Sequence, residues 1–186
     1  KRYEYCVEKF FKKKKVNILE IGFGNGDFLS LLKKKGHKSI GIEYNINLIK
    51  KAQTRKLNVQ FGELEKLKNN SFDLCVMFDV IEHLNAPLKT LKVLKSKLKK
   101  NGLLIFYTPN INSLAFELMG SKQNLIYPYH HLCFFSPKSV RYLSKRLNMS
   151  TELFETRGLD FLDYFSYLGE LKKIKFNKIF RKQMSI

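Results

Sequence analysis

Acidic residues surround three closely spaced glycines near the start of the chain. The run Gly22-Phe23-Gly24-Asn25-Gly26 follows an apolar stretch, residues 16–21, and precedes a segment whose apolar residues recur with helical spacing. This order predicts a buried parallel strand, a glycine turn and a helix, which together bring backbone N–H groups close to a ligand. Glu20 lies at the strand end, and Asp27 occupies the place where dinucleotide-binding turns have a third small residue. Because a carboxylate there would repel a pyrophosphate, the turn favours a ligand with positive charge and no phosphate.

S-adenosylmethionine has this character, since it carries an ammonium and a sulfonium. A second acid, Glu43, ends the next predicted strand, 17 residues after Gly26. An acid near this spacing accepts hydrogen bonds from ribose hydroxyls in nucleotide-type sites. The alternative is an exposed charge at a strand end, and the preceding turn favours ribose binding.

Each predicted strand ends beside a polar side chain, in the order Glu20, Glu43, Glu63, Asp79 and Asn110. The strands of a doubly wound sheet carry their ligands at the carboxyl ends. We therefore expect an α/β fold: a doubly wound, mostly parallel, Rossmann-like sheet with helices on both faces. The strands are predicted at residues 16–21, 39–43, 58–61, 72–78 and 103–107, the last after a turn at Asn101-Gly102.

Three segments are expected along the chain. Residues 1–15 form a covering helix, residues 16–157 form the ligand-binding domain, and residues 158–186 form a basic helical segment that is possibly truncated. Further helices are predicted after the glycine turn up to Gly36, at 45–55, from 85 to 98, within 113–129 and from Ser136, with a sixth strand at 150–156. No predicted seventh strand follows, and the chain lacks an initiator Met, so we expect a trimmed chain.

Four motifs resemble those of the class I (Rossmann-like) methyltransferases. They are E-x-G-x-G-x-G at 20–26, D-V-I-E-H-L at 79–84, T-P-N at 108–110 and H-L-C-F-F-S-P at 131–137. The last three resemble a subgroup that is similar to ubiquinone-pathway and sugar O-methyltransferases. The resemblance implies S-adenosyl-L-methionine as cofactor and S-adenosyl-L-homocysteine as product.

The resemblance also implies a set of cofactor-binding residues. Glu63 would accept the adenine amino group beside the Leu64 backbone, and Asp79 would lie near the methionine moiety. The whole set is Glu20, Gly22, Phe23, Gly24, Asn25, Gly26, Glu43, Tyr44, Glu63, Leu64, Phe78 and Asp79.

The methyl acceptor is expected to be a hydroxyl of a small molecule or a sugar precursor. The family's asparagine-proline-proline-aromatic signature for base amino groups and the Pro-Cys pair for cytosine methylation are both missing. A histidine is the best proton acceptor near neutral pH, so His131 and His83 are the catalytic candidates, with His83 positioning Asp79 as an alternative role. His130 is adjacent to His131, whereas His37 is expected on an outer loop and is set aside.

A metal-assisted mechanism is the alternative use of the same motif. Asp79, Glu82 and His83 lie at i, i+3 and i+4, so a helical turn would place all three on one face, where they could hold a divalent ion. The small-RNA terminal 2′-O-methyltransferases resemble this arrangement, which makes RNA methylation the enzymatic alternative. Since the first acid of this motif is Asp, which has a shorter reach, the favoured expectation is a site without metal.

The formal charge of +19 suggests nucleic acid or an anionic membrane as a partner, the latter through residues 172–181. Yet 29 of the 35 basic residues are Lys and six are Arg, whereas base recognition favours Arg. A general bias of the composition toward Lys explains the positive charge more simply than a binding partner does. A non-catalytic subunit that binds the cofactor stays open as a further alternative. Three scattered cysteines and no apolar run of membrane-spanning length predict a cytoplasmic protein.

Overall fold

The computed structural model describes residues 2–12, 14–122 and 129–156. Five strands form one sheet in the order β3-β2-β1-β4-β5, and every neighbouring pair is parallel. The strands are β1 (Asn17–Ile21), β2 (Lys38–Glu43), β3 (Val59–Phe61), β4 (Phe72–Phe78) and β5 (Leu98–Tyr107). The predicted Rossmann-like fold class is confirmed.

The helices before, between and after these strands lie in the segments where the sequence predicts them. They are α1 (Lys9–Phe11), which continues a π-helical turn at Glu4–Glu8, then α2 (Asp27–Lys34), α3 (Ile46–Thr54), α4 (Pro87–Lys97), α5 (Leu114–Met119) and α6 (Pro137–Leu147). The chain divides into two compact units, Lys1–Thr108 and Pro109–Ile186, which we call the first and second units.

Local sequence signals explain the ends of α2 and α3. Gly36 has a φ of 77°, and the N–H groups of Gly36 and His37 donate to the carbonyls of Lys33 and Leu32, which is the Schellman pattern. The Asn45 side chain accepts from the N–H groups at the start of α3. The end of α2 and the start of α3 set the points at which β2 begins and ends.

The core of the first unit lies on one face of the sheet. Ile18, Leu74 and Val76 point into a cluster with residues of α2, α3 and the N-terminal helical segment, including Phe28, Leu32, Ile49 and Val7. Because side chains alternate along a strand, the buried Leu19, Cys75 and Met77 point to the opposite face. The β1–β2 and β4–β5 crossovers run in opposite directions along the sheet, which places α2 and α4 on opposite faces.

The strand order changes direction between β1 and β4, so the loops that follow these two strands leave the sheet side by side. Such a switch point opens a crevice at the carboxyl ends of the strands. We call this edge of the first unit, from β3 to β4, the rim.

Two sequence predictions about strands were wrong. The expected turn at Asn101-Gly102 is instead part of β5, which begins at Leu98 and contains a register shift opposite residues 72–74. Asn101 adopts a φ of 64° there, so the turn signal marks an irregularity within the strand. Residues 150–156 form no strand, although a sixth strand was predicted there.

The N-terminal helix is present but shorter than predicted, since α1 ends at Phe11 and Lys12 has a φ of 52°. Its residues Tyr3, Cys6 and Val7 are buried in the core cluster of the first unit. Cys6, Cys75 and Cys133 are all free thiols. Among the described residues, no helix combines the length and the apolar character needed to cross a membrane.

In the second unit, α6 begins where predicted. Ser136, the N-cap residue, and Ser139 form a reciprocal capping box at the start of α6, whose first residue is Pro137, and Ser113 caps α5 by accepting from the Phe116 N–H. Asn110 forms a parallel bridge with Phe135. Residues 123–128, which belong to the segment 113–129 where a helix is predicted, and the basic segment at 158–186 lie outside the described residues.

Candidate cofactor site at the carboxyl end of the sheet

The glycine turn lies where the loops after β1 and β4 meet. Gly22 has a φ of 67°, and a Cβ atom added there would lie 2.4 Å from Cγ2 of Val80, so only glycine fits. Gly24 also has a positive φ, 55°, but a Cβ added there would have no protein atom within 4 Å. The backbone at Gly24 therefore faces open space, which is the geometry that a closely approaching ligand requires.

Glu43 is held beside this turn by three backbone donors. Its Oε2 accepts from the Gly24 N–H at 3.2 Å, and its Oε1 accepts from the N–H groups of Tyr44 and Asn45 at 2.8 and 3.2 Å. A carboxylate has about four acceptor positions, so these bonds leave one, on Oε2. The carboxylate is thus oriented in advance, with one remaining acceptor position next to the glycine turn.

Glu20 lies within β1 and is 3% exposed. Its Oε2 atom is buried without a hydrogen-bond partner. Burial raises the pKa of this carboxyl to about 8, while Arg2 lowers it and the carboxylates of Asp27 and Glu43 raise it further. A buried acceptor without a partner is costly, and a cationic ligand at the glycine turn would remove that cost.

Arg2 is a residue of the rim that sequence analysis missed. Its guanidinium carbon lies 4.7 Å from the centroid of the Phe78 ring, and its Nη2 lies 3.4 Å from Oδ2 of Asp79. The only sequence signal is the presence of Arg in a segment where the other basic residues are Lys. This arrangement brings a planar cation to the carboxyl end of β4, next to two of the predicted cofactor-binding residues.

The aromatic residues predicted for the site divide into buried and exposed ones. Phe23 is buried beneath the turn, and Phe78 packs edge-on against Phe28 with ring centroids 5.3 Å apart. Tyr44 is 66% exposed, and its ring meets that of Phe61 at 5.6 Å, while its hydroxyl donates to the Gly62 carbonyl. Tyr44 therefore supplies an exposed aromatic surface at the rim, whereas the rings of Phe23 and Phe78 are buried.

Two polar contacts fasten the outside of the glycine turn. The Arg55 side chain donates to the Asn25 carbonyl at 2.5 Å and pairs with Asp27 at 3.2 Å. Gly26 is the N-cap residue of α2, with a φ of 73°. The hydrogen bond from Arg55 fixes the Asn25 carbonyl, and the positive φ of Gly26 ends the turn where α2 begins.

Glu63 and Leu64 lie just after β3 and differ in their environment. The Glu63 carboxylate is exposed and pairs with Lys66 Nζ, while the Leu64 side chain is buried. The Leu64 N–H donates to the Gly62 carbonyl at 2.7 Å. The structure thus leaves the Glu63 side chain accessible and uses the Leu64 N–H within the turn.

The expectation that Asp79, Glu82 and His83 share one helical turn was wrong. The 3₁₀ turn begins at Ile81, and Asp79 precedes it with a φ of 56°. Glu82 is 2% exposed and accepts from the Thr108 hydroxyl at 3.0 Å, whereas Asp79 is exposed at the rim beside Arg2. The left-handed backbone at Asp79 breaks the spacing on which the metal alternative was based.

The histidines also differ from one another in their surroundings. His37 was predicted on an outer loop, but it is buried, with 8% of its surface exposed. Its Nε2 lies 2.8 Å from Tyr3 Oη, and its Nδ1 accepts from the Val16 N–H. His83 is exposed at the end of the 3₁₀ turn. In the second unit, His130 is exposed, and the half-buried His131 meets the Phe134 ring edge-on at 6.3 Å.

The features of the rim fit S-adenosylmethionine better than they fit a pyrophosphate. Glu20 offers a buried oxygen without a partner, Gly24 faces open space, and Glu43 has one free acceptor position. The negative charges of Asp27 and Glu43 lie close enough to Glu20 to raise the pKa of its carboxyl. Such a set attracts the ammonium and sulfonium of this cofactor and repels phosphate.

Comparisons with known proteins agree with this geometry. A family profile described as "Methyltransferase domain" matches residues 1–151. A ubiquinone biosynthesis O-methyltransferase of Pelagibacter ubique is 26% identical over 163 residues, covering 81% of this chain and 68% of that protein. An uncharacterised protein of Methanocaldococcus jannaschii is 35% identical over 113 residues, covering 60% of this chain. The chain spans about half, 48%, of the length of that archaeal relative.

Solved structures give the same result for the fold. A Thermotoga maritima protein described as a SAM-dependent methyltransferase, possible histamine N-methyltransferase, is 27% identical, with a TM-score of 0.63 over 79% of this chain and 69% of that one. A SAM-dependent methyltransferase of Archaeoglobus fulgidus is 22% identical, with a TM-score of 0.61 over 87% of this chain and 80% of that one, and supports the fold alone. Because the family profile covers most of the sequence and the sheet has the matching topology, the chain belongs to the class I, Rossmann-like S-adenosylmethionine-dependent methyltransferases.

Proposed function

We propose that the chain transfers a methyl group from S-adenosyl-L-methionine to a hydroxyl of a small molecule or sugar precursor and releases S-adenosyl-L-homocysteine. The observation that carries the cofactor assignment is the buried, unpartnered Oε2 of Glu20 beside the open backbone at Gly24. The preference for oxygen is supported by the likeness to the Pelagibacter O-methyltransferase. An amine is the alternative acceptor, because the Thermotoga relative is described as a possible histamine N-methyltransferase.

Three charged side chains would hold the polar groups of the cofactor. Glu43 would accept a ribose hydroxyl at the remaining position on Oε2, since its other positions are taken by backbone N–H groups. Glu20 would accept from the ammonium as an ionised carboxylate. Arg2 would pair with the carboxylate, for which the guanidinium offers two parallel donors.

The adenine end would lie between the end of β2 and the loop after β3. Tyr44 presents an exposed ring there, and Glu63 has an accessible carboxylate that could accept the adenine amino group. Leu64 would contribute its buried side chain to the support of this loop, because its N–H is already bonded to Gly62.

The bound cofactor supplies a methyl carbon that is activated by a sulfonium leaving group. The residues of the chain then align the acceptor and remove its proton, which is the ordinary role of an imidazole near neutral pH. We propose that His83 or His131 is this base, and that Asp79 lies near the methionine moiety. In this proposal the chain works without a metal, and Glu82 fixes the Thr108 hydroxyl.

Methyl transfer should be measured first. The purified chain and its Glu43→Ala variant are incubated with methyl-labelled cofactor and with phenols, sugars, histamine or RNA, with and without EDTA. We expect wild type to label a phenol or a sugar, and we expect EDTA to leave this labelling unchanged. In the Glu43→Ala variant, cofactor binding should weaken by at least about tenfold, because a charged hydrogen bond is lost.

Label in histamine would overturn the hydroxyl assignment but keep the cofactor assignment. Label in RNA that disappears with EDTA would replace the proposal with metal-assisted RNA methylation. Cofactor binding without transfer to any of these acceptors, or to any fraction of a source-cell extract used in a parallel incubation, would indicate a non-catalytic subunit. An affinity within about twofold of wild type for Glu43→Ala would refute the ribose assignment.

The two histidine candidates can be separated by single substitutions. His83→Asn and His131→Asn keep a polar side chain without a base, and we expect one of them to lower kcat by about 100-fold or more at unchanged cofactor affinity. His130→Asn is the matched control and should retain kcat. If both candidate variants keep wild-type kcat, the proton acceptor is not a histidine of this pair.

Gly24→Ala tests the open space at the turn. The added methyl costs about 1–2 kcal/mol of backbone strain, because φ is positive, but it meets no protein atom. We expect the variant to fold and to lose at least about tenfold in affinity for S-adenosylhomocysteine, measured by calorimetry. Gly120→Ala is the control at another positive φ, 56°, with open space around its Cβ, so it should lose stability but no affinity. Equal affinities in the two variants would show that no ligand approaches Gly24.

Glu20→Gln tests the buried carboxyl through the pH dependence of stability. Below the ordinary pKa of glutamate, the Glu20 carboxyl is protonated in both the folded and the unfolded chain. As the pH rises toward 8, the unfolded chain ionises while folded Glu20 stays protonated, so the free energy of unfolding of the wild type falls by up to about 1.4 kcal/mol per pH unit. The Gln variant lacks this loss, and its stability relative to wild type should therefore rise between about pH 5 and pH 8 in urea titrations.

S-adenosylhomocysteine should also bind wild type more tightly as the pH approaches 8, because its ammonium favours the ionised carboxylate. A Glu20→Gln variant with wild-type affinity at every pH would contradict the role given to this residue.

A further inference from the structure

Three groups, the Tyr3 hydroxyl, the His37 ring and the Val16 N–H, form a buried chain of contacts. This chain joins the N-terminal segment to the edge of the sheet at which the strands begin, here called the amino edge. Tyr3 Oη lies 2.8 Å from His37 Nε2, and the Val16 N–H lies 3.3 Å from His37 Nδ1. Tyr3 and His37 are 7% and 8% exposed. Val16 and His37 directly precede β1 and β2, so this contact lies at the edge opposite the rim.

The backbone donor decides the protonation state of the ring. A backbone N–H can only donate, so Nδ1 of His37 must be an unprotonated acceptor. The neutral ring then carries its hydrogen on Nε2 and donates to Tyr3 Oη. An imidazolium would direct an N–H at the Val16 N–H, and the contact would be lost.

The charged surroundings favour the same neutral form. Burial first, and then the ammonium of Lys15, lower the pKa of His37, so that the ring stays neutral at physiological pH. Burial and Glu8 raise the pKa of Tyr3, so its hydroxyl stays protonated. Lys35 also faces the pair, since its Nζ lies 5.3 Å from the centroid of the Tyr3 ring.

Arg2 and Tyr3 are sequence neighbours whose side chains reach opposite edges of the sheet. Tyr3 reaches His37 at the amino edge, whereas Arg2 reaches Phe78 and Asp79 at the rim. The Arg2–Asp79 pair is exposed, with side chains 59% and 49% accessible, so it fixes the guanidinium weakly by itself. The buried polar contact of Tyr3 is therefore the stronger restraint on this part of the backbone.

We propose that His37 is a positioning residue for the cofactor site: through Tyr3 it holds the Arg2 guanidinium at the rim, where Arg2 meets the carboxylate of the cofactor. The inference rests on the proposed function, which assigns that carboxylate to Arg2. His37 itself touches no part of the cofactor in this arrangement, and its effect passes through two intervening side chains. The predicted consequence is selective, since only ligands with the carboxylate should be affected.

Two ligands separate this role from a general structural one. S-adenosylhomocysteine carries the amino and carboxylate groups, whereas methylthioadenosine shares its adenosine and thioether but lacks both groups. Affinities for the two are measured by calorimetry in wild type, Tyr3→Phe, His37→Ala, His37→Gln, Arg2→Gln and the double variant His37→Ala/Arg2→Gln. Thermal unfolding of each variant is recorded alongside.

We expect Tyr3→Phe and His37→Ala to weaken S-adenosylhomocysteine by about threefold to tenfold, as for a lost hydrogen bond, with methylthioadenosine unchanged. His37→Gln should restore most of the affinity, because its amide can still donate to Tyr3. In the Arg2→Gln background, His37→Ala should have no further effect, since the residue through which it acts is already gone. As the pH falls, the His37 ring becomes protonated in wild type, which should therefore lose its selectivity for S-adenosylhomocysteine over methylthioadenosine faster than His37→Gln does. Glu20 is present in both proteins, so the difference between them reports on His37.

The outcomes distinguish this inference from the proposed function. If wild type binds neither ligand, the proposed function fails. If Arg2→Gln weakens S-adenosylhomocysteine selectively while the Tyr3 and His37 variants match wild type, the positioning role alone is overturned. Equal loss of both ligands in His37→Ala, or additive losses in the double variant, would show that His37 acts on stability and not through Arg2.

Discussion

The parallel pairing of β1 on both sides is the constraint on which the rest of the site depends. Residues 17–21 pair with 38–42 of β2, and residues 18–21 pair with 74–77 of β4. Since all three strands run the same way, their ends deliver the glycine turn, Glu43 and Asp79 to one edge. The close approach of Gly22 to Val80 and the bond from Gly24 to Glu43 both follow from this pairing.

Glu20 shows how the same strand places stability and ligand binding in opposition. Its position within a doubly paired strand forces the carboxyl into the protein, where ionisation is unfavourable. A hydrophobic residue would serve the fold better at this position, but it would offer nothing to an ammonium. Unfavourable groups retained at a crevice are typical of functional sites, and here the cost is confined to a single carboxyl oxygen.

The N-terminal segment adds a second level of organisation to the rim. Its buried residues Cys6 and Val7 attach it to the core by contacts that have little directional preference, while Tyr3 supplies a directional contact. The segment thereby brings an arginine to a crevice that is otherwise lined by acids. In the proposed function, this arginine is the cation for the carboxylate of a cofactor whose remaining charges are positive, and the mixed arrangement would select the zwitterionic end of that cofactor.

The sequence by itself determined the class of fold and the class of ligand, because strand–turn–helix order, helical spacing and acidic strand ends are local patterns. The positions of Gly24, Glu43 and the end of α2 could be predicted for that reason. Only the tertiary structure decided which groups are buried or paired: the burial of Glu20 with no hydrogen-bond partner for its Oε2, the pairing of Arg2 with Asp79 and the burial of His37. Arg2 and Asp79 are 77 residues apart, and whether two such groups meet depends on packing between elements, which no local pattern encodes.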